Sequence, residues 1–521
     1  MLRPTRGTHP RKWLLAAGVW GLLHAPAYAA GEVPIATAAM NRDTTAIRAL
    51  IAKKVDVNAT GADGTPALHW TVRAGDVDTA RLLIQAGADA TLANRLGVTP
   101  LSLATANGDA PMIRLLVEAG ADVNGVDIAG ETPLMSAARS GVVAAVNVLL
   151  EKGATIDAKD RSTQQTALMI AVRENRGDVV KRLIAAGAPI DAKTRVGATP
   201  NWVLPNSVPG FGHGIGIVRG GLPPRGSRGP IPGGMTPLLY ATRDGRLDIV
   251  RDLLAARADI EQTDPNGITP LISAITNNHP GVARFLIDQG ANIQTTDWYG
   301  RTALWAAIET RNMDVDNASF ENGIDRAPFL ELITLLLDKG AAPNIRMKEV
   351  PPIRRSFLRV TGSLSWVDFT GQTPFVTAAL AGDVAVMRLL VAHGADPKIP
   401  TFDGTTALMA AAGVNWVFDQ TYDQGPAQLL EAVKLCYELG LDVNAINSIG
   451  LTALHGAANR GSDDIIAFLA EKGARLDVKD KEGRTPLMWA EGVFLATHPA
   501  KPKPSSIALL NKLMAAQGPA K

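Results

Sequence analysis

The segment "TPLSLATANGDAPMIRLLVEAGADVNGVDIAGETPLMSAARSG", residues 99–141, holds the triplet TPL twice, 33 residues apart. Phasing the chain on the leucine of that triplet puts Ile35, Leu68, Leu101, Leu134, Leu168, Leu238, Leu271, Leu304, Phe375, Leu408, Leu454 and Leu487 in one slot. A unit this short cannot bury its own apolar face. It must stack on its neighbours, and the stack excludes a single globular core. The filled slots give twelve units.

Within a unit the residues specify two helices and a return. Threonine caps a helix and proline fits its first turn. Leu and Ala follow at helical spacing until a glycine breaks the run, as at Gly108 and Gly141. A second apolar-periodic helix ends on LLxxGA, whose glycine supplies a left-handed terminal residue at Gly87, Gly120, Gly153, Gly187, Gly290, Gly394 and Gly473. Lys54 and Arg257 stand in that slot instead, so those two turns are expected to be strained by about 1 kcal/mol. The chain then returns to the next slot through DVNAxDxxG, an extended finger. The T-P-L-H-x-A signature and the GAD turn resemble the ankyrin-repeat family. The resemblance implies an all-α repeat solenoid of stacked helix pairs with projecting β-hairpin-like fingers. It also implies that His69 and His455, in the histidine slot, hydrogen-bond between loops.

The departures from the period are the informative part. From Gly187 to Leu238 the return takes 51 residues where 14 is normal, an excess of 37 in the finger. The excess is Gly/Pro-rich and carries Arg219, Arg225 and Arg228 with no acid. A second finger insertion, 345–370, adds Arg346, Lys348, Arg354, Arg355 and Arg359 against Glu349 and Asp368, with Phe357, Trp366 and Phe369. Further insertions enlarge the opposite, helix-turn edge, near 310–327, 413–427 and 498–506. The expected organisation is therefore a signal peptide at 1–29, repeats 1–5 at 30–200, a finger insertion at 201–235 and repeats 6–8 at 236–344. The basic, aromatic insertion at 345–370 follows, then repeats 9–12 with a terminal cap at 371–521.

The first 30 residues have the order of a secretory signal. Arg3, Arg6, Arg11 and Lys12 precede the apolar run WLLAAGVWGLL, and Ala27-Tyr28-Ala29 offers a small-x-small cleavage site. The run is too short to span a bilayer, so no stable membrane anchor is expected. Cleavage after Ala29 would shift the formal net charge from +2 to −2, which argues against a general affinity for nucleic acid. The one cysteine, Cys436, excludes an internal disulfide; it occupies a slot held elsewhere by Leu116 and Leu149 and reads as a core thiol.

No residue set points to catalysis, a cofactor or a metal. GFGHGIG around His213 lacks the following helix that a phosphate loop needs. The expected function is an exported bacterial scaffold, periplasmic or secreted and monomeric, that binds a protein partner through the concave face of fingers and first helices around repeats 6–9. A partner with an acidic patch suits Arg219, Arg225, Arg228, Arg354 and Arg355, with Trp298, Tyr299 and Trp366 as aromatic anchors. Trp298 and Tyr299 lie at a finger tip, where polar, exposed residues are the rule. The other reading is an enzyme or small-ligand binder with a pocket under both finger insertions, drawing on His213, Arg219 and Arg355.

Overall fold

The computed structural model describes residues 35–61, 64–197, 231–312, 325–349, 367, 370–416, 423–493 and 500–517. The chain divides into two compact units, residues 1–89 and 90–521. Among the described residues every regular element is an α-helix and no strand occurs.

The first unit holds α1 (Ile35–Met40), α2 (Thr44–Ala52), α3 (Ala67–Ala74) and α4 (Val77–Gln85). Within it α1 packs on α3, and Ile47, Leu68 and Leu83 are fully buried.

The second unit opens with the helix pairs α5 (Pro100–Asn107) and α6 (Ala110–Glu118), α7 (Pro133–Ser140) and α8 (Val143–Glu151), and α9 (Ala167–Arg173) and α10 (Gly177–Ala185). Then come α11 (Pro237–Arg243) and α12 (Leu247–Ala255), α13 (Pro270–Thr276) and α14 (Pro280–Asp288), and α15 (Ala303–Arg311) and α16 (Arg326–Asp338). The pairs α17 (Pro374–Ala381) and α18 (Val384–Ala392), and α19 (Ala407–Ala412) and α20 (Pro426–Glu438), follow. The unit closes with α21 (Ala453–Arg460) and α22 (Asp463–Glu471), and α23 (Pro486–Gly492) and α24 (Pro504–Gln517). Each odd-numbered helix from α5 packs on the next odd one, and each even-numbered helix from α6 on the next even one. This two-layer stacking is an all-α repeat solenoid. The slot residues Leu101, Leu134, Leu168, Leu238, Leu271, Leu304, Phe375, Leu408 and Leu454 are each at most 2% exposed. Burial of each contributes about 2 kcal/mol.

Capping explains where the helices start. Thr99, Thr236 and Thr269 accept hydrogen bonds from the third amide of α5, α11 and α13, with proline in the first turn. Asp76, Asp109 and Asp383 do the same for α4, α6 and α18. Val142, before α8, gives no side-chain cap. At the second helix ends, Lys54 and Arg257 adopt φ of 58° and 70°, the left-handed conformation that glycine takes at Gly120, φ 98°. The strain expected there is present. Cys436 is fully buried and burial pushes its thiol up, which fits a core thiol and not a reactive one.

The helix-turn edge is tied by a buried polar cluster. Arg311, ending α15, donates from Nε to Asp383 Oδ2 at 2.8 Å, and Asp383 also caps α18. Asn312 Nδ2 donates to the same oxygen at 3.2 Å, and Gln424 Nε2 to Asn312 Oδ1 at 3.4 Å. Arg326 Nε returns to the Arg311 carbonyl at 3.1 Å, which closes the stem of the insertion between α15 and α16.

Candidate interaction surface

Fingers such as those at 127–131 and 447–451 are tight turns held by their own carboxylate or amide. Asp127 accepts the amides of Ala129 and Glu131, both at 2.9 Å, and Asn447 accepts that of Leu451 at 2.9 Å. A second device joins consecutive turns. Asn124 donates to the Gly153 carbonyl at 3.2 Å and accepts the Thr155 amide at 2.8 Å; Asn344 treats Gly394 and Asp396 alike, at 3.1 and 2.8 Å. Backbone bonds then link finger to finger, as from Ser448 N to Asp403 O and from Lys481 N to Ile449 O. Histidine serves the same purpose in its slot. His455 Nδ1 accepts from Thr452 N at 3.1 Å, and Nε2 bonds the Arg484 carbonyl of the next finger at 3.3 Å.

Both finger insertions are rooted in paired stems. Thr194 N donates to Met235 O at 3.0 Å and Gly197 N to Pro232 O at 2.8 Å, which closes the first root. At that root Gly233 has φ 91°, and an added Cβ would lie 1.9 Å from the Arg195 carbonyl, so only glycine fits. Met347 N donates to Gln372 O at 3.0 Å, and Gly371 N to Met347 O at 2.8 Å, closing the second root. Two fingers bridge the roots. Asn266 exchanges two hydrogen bonds with the Ile231 backbone, at 2.7 and 2.9 Å. Trp298 N donates to Asn266 O at 2.9 Å, and Lys348 N donates to Tyr299 O at 2.8 Å. Trp298 and Tyr299 thus stand between the two insertions, with stacked rings 6.5 Å apart.

The exposure expected of this pair is corrected. Trp298 is half-buried, but Tyr299 is only 5% exposed. Its ring is covered because the second root docks on its backbone and Arg301 lies 5.4 Å from its centroid. Its hydroxyl has no hydrogen-bond partner among the described residues, and burial pushes its pKa up. Trp305, in the histidine slot of α15, also buries an Nε1 with no partner among the described residues. Three further residues shape this region and carried no motif in the sequence. Arg301 is buried; burial opposes its charge, but Glu309 and Asp297 outweigh that and raise its pKa, with Asp297 Oδ2 at 2.7 Å. Asp264 is raised by burial, with a smaller contribution from the Asp297 charge. Arg346 does not project as a free cation: it donates to the carbonyls of Gly371 at 3.1 Å and Pro400 at 2.7 Å, over the Phe402 ring. Arg219, Arg225, Arg228, Arg354, Arg355, Trp366 and His213 lie outside the described residues, as does the cleavage site. No described helix is long and apolar enough to cross a membrane.

Comparison with known proteins gives the family. The model for ankyrin repeats in three copies matches residues 12–94, 35–127, 101–194, 238–347 and 426–492, and the single ankyrin repeat matches 370–402. The B-cell lymphoma 3 protein of Homo sapiens is 35% identical over 120 residues, 23% of this chain and 24% of that protein. Its Mus musculus homolog is 33% identical over 120 residues, covering 25% of that protein. The chain therefore matches about a quarter of the length of these relatives. A solved structure of the human ASB11 ankyrin repeat domain is similar at TM-score 0.37 and 25% identity, over 51% of this chain and 96% of that one. Ankyrin repeats generally mediate protein–protein interaction. With family matches over more than half of its length, this chain belongs to the ankyrin-repeat family.

Proposed function

We propose that this chain is an exported, non-catalytic scaffold that binds an acidic protein partner through the finger face between its two long finger insertions. The observation that carries this reading is the geometry of the roots. Both insertions are attached at fingers through paired stems and flank the half-buried Trp298. Meanwhile α9 still packs on α11, and α15 on α17. Segments that the helical layers do not need for packing are available for recognition. The sequence supplies Arg219, Arg225, Arg228, Arg354 and Arg355 for bidentate contacts to carboxylates, with Trp298 and Trp366 as apolar anchors. Tyr299 supports Trp298 from below the surface. Export to a bacterial periplasm or beyond rests on the charged, apolar and small-residue order of the first 29 residues.

Calorimetry with the isolated partner tests the site. Replacing Arg225, Arg228, Arg354 and Arg355 with Ala weakens binding and flattens its salt dependence. Trp298→Ala weakens it by about 2 kcal/mol. Unchanged affinity in both variants removes this face from recognition.

A further inference from the structure

Three successive finger tips of the second unit, ahead of α5, α7 and α9, and the root of the first insertion, ahead of α11, carry arginine and aliphatic side chains. They present Arg95 with Leu96, then Ile128, then Arg161, then Arg195 with Val196. Leu96 is 73% exposed, Ile128 83% and Val196 52%, and the three arginines are exposed as well. The tips are adjacent. A Cβ on Gly97 would lie 2.8 Å from Ile128 Cγ2, and one on Gly130 would lie 2.6 Å from Arg161 Cβ. Arg195 Nη2 donates to the Arg161 carbonyl at 2.9 Å.

The acids nearest these residues are held by their own turns or by a neighbouring arginine. Asp127 binds the amides of its own turn. Asp160 accepts from the amides of Ser162, Thr163 and Gln165. Glu131 pairs with Arg139. The guanidiniums of Arg161 and Arg195 meet no carboxylate among the described residues. A single exposed aliphatic side chain is ordinary. Aliphatics interspersed with arginines along adjacent fingers form a row with a definite complement.

We propose that Arg95, Leu96, Ile128, Arg161, Arg195 and Val196 dock an extended segment of a partner protein that intersperses carboxylate with aliphatic side chains. This deepens the scaffold reading, and its last two residues stand at the root of the first insertion. Stacked helical layers lie about 10 Å apart, and an extended chain advances about 3.3 Å per residue. About every third residue of the segment then meets a new finger, and about ten residues span four fingers. Arginine takes the carboxylates in bidentate geometry, and the aliphatics bury the intervening side chains.

The test uses the full chain and a fluorescein-labelled decapeptide of aspartate, glutamate and leucine, with a companion in which lysine replaces every acid. Fluorescence anisotropy is read at low and at moderate salt. The acidic peptide binds, and the lysine companion binds at least about tenfold more weakly. An Arg161→Ser/Arg195→Ser variant and a Leu96→Ser/Ile128→Ser variant each lose about tenfold in affinity for the acidic peptide. These side chains are exposed, so the melts of the variants match that of the unsubstituted chain. Trp298→Ala leaves peptide binding unchanged. No binding of the acidic peptide, equal binding of both peptides, or unaltered affinity in the tip variants overturns the proposal. Loss on Trp298→Ala alone also overturns it, while sustaining recognition between the insertions.

Discussion

A phenol buried without a partner, as Tyr299 is among the described residues, carries a desolvation cost of about 1–3 kcal/mol. Tyr299→Phe is therefore expected to leave the chain as stable as before or to raise its stability by up to about 1 kcal/mol, read as a thermal melt. A clear loss would show that the hydroxyl has an acceptor in solution. The sequence marked Tyr299 as notable but placed it outside, because a finger tip is usually polar. What covers it is the root of the second insertion, 49 residues further along at Lys348, a lateral neighbour that no local pattern reveals. His455 was legible, since its slot implies a loop-to-loop bond. Burial holds its folded pKa at about 4, below the ordinary 6.5. Its contribution is complete above about pH 6.5 and is lost as pH falls toward 4, by about 3 kcal/mol in total. Burial also lowers His279, which acts in the same direction. His393, raised by its bonds to Leu389 and Asp338, opposes them: its contribution is present in acid and fades as pH rises. Denaturant titration of wild type and His455→Asn at pH 7.5 and 4.5 checks the sign. The variant is less stable at the higher pH but loses less between the two; an equal loss would exclude His455 as a source of acid sensitivity.

At the scale of the element, helix starts and stops follow the sequence closely. Threonine and aspartate caps fall where the 33-residue phase puts them, and so do the left-handed Lys54 and Arg257. Two substitutions use this. Val142→Asp supplies the missing cap of α8, whose backbone at φ −88° is close to that of the Asp76 cap at −86°; a gain of about 1 kcal/mol is expected. Arg257→Gly relieves the left-handed turn after α12 and gains about 0.5–1 kcal/mol. Equilibrium urea unfolding reads both, and a loss in either variant would contradict the geometry assigned to that turn. The Arg311–Asp383 pair was not legible. Its partners are 72 residues apart, and each alone reads as an ordinary helix-end arginine or cap. Breaking a buried pair from one side costs about 3–5 kcal/mol, so Arg311→Met is expected to loosen α17 and α18 first, as faster amide exchange there than in α5 and α6.

For the whole molecule, the period made the fold legible, and its interruptions made the candidate site legible only as sequence positions. Stacking depends on neighbours alone, so adding residues to a finger leaves the helical layers in register. Deletion of 205–232 keeps the root pair Thr194–Met235. Helical circular dichroism and the melt are expected to stay nearly unchanged, and an unfolded product would make the insertion a structural clamp. The finger face as the recognition surface is the central claim, and site-specific photo-crosslinking in the source cell tests it most directly. A benzophenone amino acid is placed at residue 298, between the insertion roots, or at residue 288, an exposed position on the second-layer helix α14. Discrete higher-mass adducts are expected from position 298 and not from 288. Adducts from 288 alone, or from both positions equally, would contradict recognition through the fingers.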